Sequence, residues 1–143
     1  MRPRDALGRI VEAGSPEEVP GVPELALPPQ EALALARSLL VGGRAFAAHE
    51  VFEAVWKACP AQEGDLWQGL AQVCVGVTHH QRGNEVGAVT LLRRGAGRLR
   101  AYDGTGLDPS LPVDPSLLAD RAEALACRIE AGALIPAAAL LIV

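Results

Sequence analysis

The sequence of 143 residues has few aromatic side chains, a single lysine and no basic tract. Because 50% of its residues are hydrophobic but only 3% are aromatic, a core must be built from alanine, leucine and valine, which suits closely packed helices. The formal net charge is −4, and every basic residue except Lys57 is an arginine. This balance argues against nucleic acid as a main partner. A local group of arginines is expected to lie on a solvated helix face: Arg82, Arg93, Arg94, Arg98 and Arg100.

The cysteines and the apolar segments exclude further classes of protein. Cys59, Cys74 and Cys127 are odd in number, far apart and free of CxxC spacing, so we expect reduced thiols rather than a disulfide framework or a zinc knuckle. Residues 1–5 lead into no apolar segment of the kind that a signal peptide requires. The apolar segment 133–143, about eleven residues long, is too short to span a bilayer. We therefore expect a cytoplasmic protein without membrane association, whose C-terminal segment packs on the core or on a second subunit.

Helix-breaking and helix-capping residues divide the chain. Proline and glycine crowd residues 1–30, which we interpret as an extended N-terminal arm without a core of its own. Residues 31–143 are predicted to form a single all-α domain, because no useful period-two pattern of strands occurs. The prediction is a compact bundle of about five helices. Their expected bounds are about 31–41, 44–59, 63–82, 84–102 and 115–131, with Asn84 and Asp114 as N-caps.

The second predicted helix carries ionisable side chains on one side. At about 100° per residue, His49 and Glu53 point within about 40° of each other, and Trp56 flanks them. We expect this side to face the core, where two ionisable groups need partners.

The third predicted helix is apolar around most of its circumference, except for a narrow polar stripe. Gln68, Gln72 and His79 fall within about 40° of each other. The short link at residues 60–62 predicts an antiparallel pair of helices, in which His49 lies level with Gln72 and Glu53 with Gln68. Next to the stripe, three glycines form a strip along which a neighbouring helix could approach closely: Gly69, Gly76 and Gly83.

Two interpretations of this cluster follow. In the first, His49, Glu53, Gln68 and Gln72 form a buried network that fixes the register of the helices. In the second, they line a site between the second and third helices. There Glu53 is the general base and His49 its partner or an acid, the two glutamines orient a small polar substrate, and Trp56 contributes to binding.

A metal site is the less favoured interpretation. His49 and Glu53 are weak candidates, but His79 lies about 10 Å further along its helix and cannot join them around one ion. We therefore expect no metal and no cofactor. The neighbouring His80 faces about 100° away from His79 and is predicted to be peripheral.

Three motifs in this region resemble those of a known family. They are His49-Glu50-x-x-Glu53-x-x-Trp56, then Trp67-Gln68-Gly69-Leu70-Ala71-Gln72, then Arg82-Gly83-Asn84-x-x-Gly87-Ala88 followed by Leu91-Leu92. Over roughly residues 31–99 their order and spacing resemble the domain-of-unknown-function 309 family, small all-helical prokaryotic proteins. The resemblance implies a compact helical fold, with a family-like core at about 31–102, and no assigned activity. Its signature positions correspond to His49, Glu53, Trp56, Gln68, Gly69, Gln72, Gly83, Asn84, Gly87 and Ala88.

Two functional hypotheses follow from the sequence. The first is a structural or interaction module, which the sequence allows to be a homodimer and whose partner it does not identify. The second is a small enzyme or a ligand-binding protein that uses the cluster on the second and third helices. Whether the protein is an enzyme stays open at this point.

Overall fold

The computed structural model describes residues 2–140, and within them the fold is all-α, as predicted. Its five helices are α1 (Pro29–Val41), α2 (Ala45–Ala58), α3 (Gly64–Gln81), α4 (Glu85–Ala101) and α5 (Pro115–Glu130). Short 3₁₀ turns cover Ala61–Glu63 and Ala137–Leu140. In this part of the chain the only β-type pairing is two isolated bridges, from Arg4 to Ile10 and from Arg4 to Val19.

The helices begin and end close to the residues predicted from local signals. Gly43 and Gly83 adopt φ angles of 78° and 79° after α1 and α3, a left-handed conformation that glycine accepts without strain. Asn84 and Asp114 cap α4 and α5, since their side chains accept hydrogen bonds from the backbone N–H groups of Gly87 and Leu117. These ends depend on one or two neighbouring residues, which explains why sequence alone located them.

Helices α3 and α4 come close together at two of the three glycines that were predicted to allow a close approach of a neighbouring helix. A Cβ atom at Gly76 would lie 3.0 Å from the backbone nitrogen of Leu92, and one at Gly69 would lie 3.2 Å from the carbonyl oxygen of Gly95. The third glycine of the predicted strip, Gly83, has no neighbour within 4 Å of such an atom and instead ends α3. Of the three, Gly69 and Gly76 therefore lie where the backbones of α3 and α4 meet.

Helix α2 turns an apolar stripe toward the core. Ala48, Val51, Phe52 and Val55 are buried, and the ring centroids of Phe52 and Trp67 lie 6.1 Å apart. On a helical wheel His49 and Glu53 lie roughly 110° and 150° from the centre of this stripe. The expectation that their side of α2 faces the core is therefore wrong.

The N-terminal arm lies along this outer, polar side of α2. The guanidinium of Arg44 donates to the carbonyl of Pro20 at 2.5 Å, and that of Arg82 donates to the carbonyl of Leu7 at 2.9 Å. A compact turn stiffens the arm, because the Asp5 carboxylate accepts the backbone N–H groups of Leu7 and Arg9 at 3.0 and 2.8 Å. The arm is thus fastened to the helices at several points along its length.

The C-terminal segment packs back on the core, as predicted. Ile135, Ala137 and Leu140 are buried, and the last 3₁₀ turn contacts α1 and α5. The end of this apolar segment, residues 141–143, lies outside the described residues. In the described range 2–140, no helix combines the length and the apolarity that a membrane crossing requires.

Most of the clustered arginines hold helices together at the surface. Arg93 donates to Glu123 at 2.9 Å and to Glu130 at 2.6 Å, which joins α4 to α5. In addition, Arg98 contacts Asp65, Arg100 contacts Asp120, and Arg82 contacts the arm. Exposed pairs of this kind add little stability individually, so the predicted solvated face is a set of interhelical contacts of modest strength. Cys59, Cys74 and Cys127 are all free thiols, as expected.

Candidate functional site

The structure brings His49 and Glu53 together on the outer side of α2. Nε2 of His49 lies 2.7 Å from Oε2 of Glu53, and Nδ1 lies 3.0 Å from the carbonyl oxygen of Phe46. Both partners are hydrogen-bond acceptors, so the two bonds coexist only when both ring nitrogens carry hydrogen. The ring is thus held between the helix backbone and a carboxylate.

Glu53 is engaged on both of its oxygens. Nζ of Lys57 lies 2.8 Å from Oε1, opposite the contact with His49. The hydrogen bond from Lys57 lowers the pKa of Glu53, and the bond from His49 adds to this effect against the opposing effect of burial. A carboxylate with a lowered pKa and partners on both oxygens is a poor proton acceptor, so this arrangement does not suit the general-base role that we predicted for Glu53.

The two glutamines of α3 do not join this pair. Within residues 2–140, no side-chain hydrogen bond connects Gln68 or Gln72 to His49 or Glu53, and the Oε1 atom of Gln72 is buried without any partner. The predicted contacts required the polar side of α2 to face α3. The apolar stripe of α2 occupies that position instead, so the polar stripes of the two helices are not in register with each other.

The two tryptophans have different environments. Trp67 is fully buried, and its Nε1–H donates to Glu63 at 3.2 Å, so it is a core residue. Trp56 is 36% exposed at the end of α2 near Gly64 and is not among the residues that line the cleft described next.

A cleft of about 410 Å³ separates the arm from α2. Its volume falls in the range of small-molecule sites, roughly 300–1,000 Å³. The apolar part of its wall consists of Val22, Pro23, Phe46 and Ala54. Its charged or titratable part consists of Arg4, Glu24, His49, Glu50, Glu53 and Lys57. The predicted pair His49 and Glu53 therefore faces ligand-sized space, although this space lies beside the arm rather than between α2 and α3.

Glu50 is the residue that sequence reasoning missed. Its half-buried side chain lines both this cleft and a neighbouring cavity of about 200 Å³ that contains Arg44 and Asp5. Burial raises the pKa of Glu50, although the nearby charges of His49 and Arg4 act in the opposite direction. No hydrogen bond or ion pair to its carboxylate occurs among residues 2–140. The sequence does place Glu50 one helical turn after Phe46, on the same side of α2. Its burial, however, is caused by the arm, which is distant in the sequence.

The Phe46 side chain lines the cleft and also contacts the arm. The guanidinium carbons of Arg4 and Arg82 lie 4.7 and 5.6 Å from its ring centroid, and the His49 ring lies 5.0 Å away. A Cβ atom at Gly8 would overlap the Phe46 ring, so only glycine allows the arm to pass here. The Phe46 ring is thus surrounded by contacts within the protein.

The prediction that His80 is peripheral is wrong. Its side chain is 5% exposed, and Nε2 accepts the backbone N–H of Ile135 at 2.8 Å. Nδ1 therefore carries the hydrogen and donates to the carboxylate of Glu85 at 2.9 Å. His79 instead contacts the side-chain amide of Asn84 at 3.1 Å at the turn between α3 and α4. In the described part of the chain, no three His, Cys, Asp or Glu side chains converge in the way that metal ligands do.

The fold and the motif residues agree with one family comparison. Residues 33–91 match the family described as "Domain of unknown function (DUF309)", the family that the three motifs resemble. The match includes α2, α3 and the first part of α4, and it excludes the arm that forms one wall of the cleft. Neither a curated protein nor a solved structure matches the chain.

Proposed function

We propose that the protein is a ligand-binding domain whose cleft, between the N-terminal arm and α2, accepts a small polar molecule. The single observation that carries this proposal is Glu50. A half-buried carboxylate that lines ligand-sized space and lacks a partner among residues 2–140 is a hydrogen-bond acceptor left for something outside the chain. Perturbed titratable groups in clefts are also characteristic of functional sites.

The groups around Glu50 support a binding role. His49, Glu53 and Lys57 form a chain of hydrogen bonds along α2, which fixes their side chains on one wall of the cleft. The arm supplies the opposite wall, and its attachments through Arg44 and Arg82 keep that wall in place. Such preorganisation reduces the entropy that is lost when a ligand binds.

The residue of this cleft that suits a general base is Glu50 rather than Glu53. Its raised pKa makes Glu50 a better proton acceptor than Glu53, whose pKa is lowered by Lys57. His49 would then be a positioning residue beside the cleft. Gln68, Gln72 and Trp56 would have no role in binding, and no cofactor would be required.

A structural or interaction role is the second candidate, and the contacts of Phe46 favour it. The ring joins Arg4 and Gly8 of the arm to Arg82 at the end of α3, so the polar side of α2 also serves to hold the arm. In that case the cleft would be a by-product of attaching the arm. The homodimer considered from the sequence belongs to this candidate and is tested by sedimentation of the purified chain.

A fragment titration distinguishes the two candidates. Small polar fragments are added to isotopically labelled protein while the backbone amide signals are followed by NMR. A binding cleft predicts saturable shifts confined to residues 20–24 and 46–57, with Glu50→Gln reducing the affinity of the fragments. If no fragment moves these signals while His49→Ala lowers the melting temperature strongly, the structural role is supported instead.

A further inference from the structure

We propose that the ligand of this cleft is an organic cation. It would be an alkylammonium or alkylguanidinium whose N–H groups donate to the Glu50 carboxylate and whose short apolar stem lies against Val22, Pro23 and Ala54. This inference rests on the proposed function, because it names the ligand class of the same cleft.

The cations of the cleft already have acceptors within the protein. The ammonium of Lys57 is bound to Glu53 at 2.8 Å, and both ring nitrogens of His49 are hydrogen-bonded. Nη1 of Arg4 donates to the carbonyl of Gly8 at 2.6 Å, and its guanidinium lies over the Phe46 ring. The positive charge that an anionic ligand would need is therefore already partly balanced within the protein.

Two carboxylates of the cleft, by contrast, lack hydrogen-bond donors within the described part of the protein. Glu50 on α2 and Glu24 on the arm both line it, and within residues 2–140 neither carboxylate has an ion pair or a side-chain hydrogen bond. These two carboxylates are thus acceptors without a donor in the described part of the protein, which suits a ligand with N–H or O–H donors. A charged donor is preferred over a neutral one, because charge-assisted hydrogen bonds are about twice as strong.

The remaining lining sets the shape of the ligand. Val22 is buried and Ala54 half-buried, and with Pro23 they form an apolar wall next to Glu50. A short alkyl stem against this wall removes apolar surface from water while the cationic head stays with the carboxylate. Binding also favours the ionised form of Glu50, so a bound cation should lower the pKa that burial raises.

Three probes of equal length test the ligand class near neutral pH: butylammonium, butan-1-ol and butyrate. Amide NMR shifts of Gly21, Val22, Glu24 and residues 46–57 report binding to the cleft. We expect butylammonium alone to give saturable shifts, and its affinity to fall about tenfold or more in Glu50→Gln. Glu31→Gln is the matched control, because Glu31 is an exposed glutamate at the start of α1, and it should bind butylammonium as the parent does.

The outcomes separate the ligand class from the binding function. If butan-1-ol or butyrate shifts the cleft amides as strongly as butylammonium, the class is overturned while the cleft function stands. Unchanged binding of butylammonium in Glu50→Gln overturns the class in the same way. If none of the three probes and no polar fragment shifts these amides, both proposals fail. The carboxamide of glutamine matches the glutamate in size, and the unperturbed amide spectrum of each variant verifies its fold.

Discussion

The backbone N–H of Ile135 donates a 2.8 Å hydrogen bond to Nε2 of His80, which ties the C-terminal segment to the end of α3. The same ring donates to Glu85 through Nδ1, so one buried imidazole joins α3, the first turn of α4 and the segment after α5. These two bonds use both ring nitrogens as one donor and one acceptor, which only the neutral ring can provide.

Replacement of this ring should loosen the C-terminal segment. We expect His80→Leu to lower the free energy of unfolding by about 1–3 kcal/mol, because the N–H of Ile135 loses its acceptor in a buried position. Hydrogen exchange of the Ile135 amide should become faster at the same time. The matched control is His79→Leu, since His79 contacts the exposed Asn84 side chain and should leave this amide protected. Equal exchange rates in the two variants would contradict the assignment.

Glu50 should decrease stability at neutral pH. Its pKa is raised in the folded protein by burial, so the ionised carboxylate is disfavoured there. This loss of stability is absent below the ordinary value of 4.5 and grows as the pH rises through the folded pKa. Glu50→Gln should therefore raise the free energy of unfolding near pH 7 by on the order of 0.5 kcal/mol, and the gain should disappear in acid.

Denaturant unfolding at several pH values measures this dependence. Glu53→Gln should change the free energy of unfolding in the opposite direction. Because Lys57 lowers the pKa of Glu53, the ionised carboxylate stabilises the folded protein, and this stabilisation is lost as the pH falls through that pKa. A gain in Glu50→Gln that persists unchanged below about pH 4.5 would show that burial of the charge is not its cause.

The close approach of α3 and α4 should not tolerate a methyl group. In Gly76→Ala the new Cβ would lie 2.8 Å from Cγ of Leu92 and 3.1 Å from the carbonyl oxygen of Ala88. Because the helix backbone cannot move aside, we expect a loss of about 1–3 kcal/mol in stability, despite the better helix propensity of alanine. The control is Gly97→Ala on α4, which has nothing within 4 Å and should gain up to about 1 kcal/mol. Thermal unfolding of both variants checks the contrast, and a stabilised Gly76→Ala would refute the packing.

The Asp5 turn should determine how firmly the arm is held. Asp5 accepts two backbone N–H groups and the Nε–H of Arg9 at 2.8 Å, and although burial acts against ionisation, the bonds from Arg9 lower the pKa of Asp5. Asp5→Ala should therefore cost about 1–2 kcal/mol of local stability, seen as faster hydrogen exchange of the Leu7 and Arg9 amides. Asp5→Asn keeps one acceptor oxygen and should show an intermediate effect. Exchange that is unchanged in Asp5→Ala would mean that other contacts fix the arm.

Features with local causes were predictable from the sequence, and features with distant causes were not. Helix ends at Gly43, Gly83 and Asn84 were predictable because their causes lie within one turn of the chain. The close approach at Gly76 was predictable because glycine is costly inside a helix, so its repetition on one side favours a tight contact there. The role of His80 was not predictable, since its backbone partner Ile135 lies 55 residues away.

The orientation of α2 was the error with the largest consequence. Large side chains occur on two sides of this helix. Phe46 and Trp56 lie on the side of His49, which led to the prediction that this side faces the core. The arc with Val51 and Phe52 is more continuous and apolar, and it is the one that packs on the core. Only the position of the arm, set by long-range contacts, makes the outer arc a cleft wall.

The central claim is that Glu50 is a half-buried carboxylate without a partner among residues 2–140. The most direct test is an NMR titration of its side-chain carboxyl carbon, assigned by the signal that disappears in Glu50→Gln. We predict a pKa above the ordinary glutamate value of 4.5, and a decrease when butylammonium is added. A pKa at or below 4.5 in the free protein would contradict the claim, because it would mean that the carboxylate is solvated or already paired.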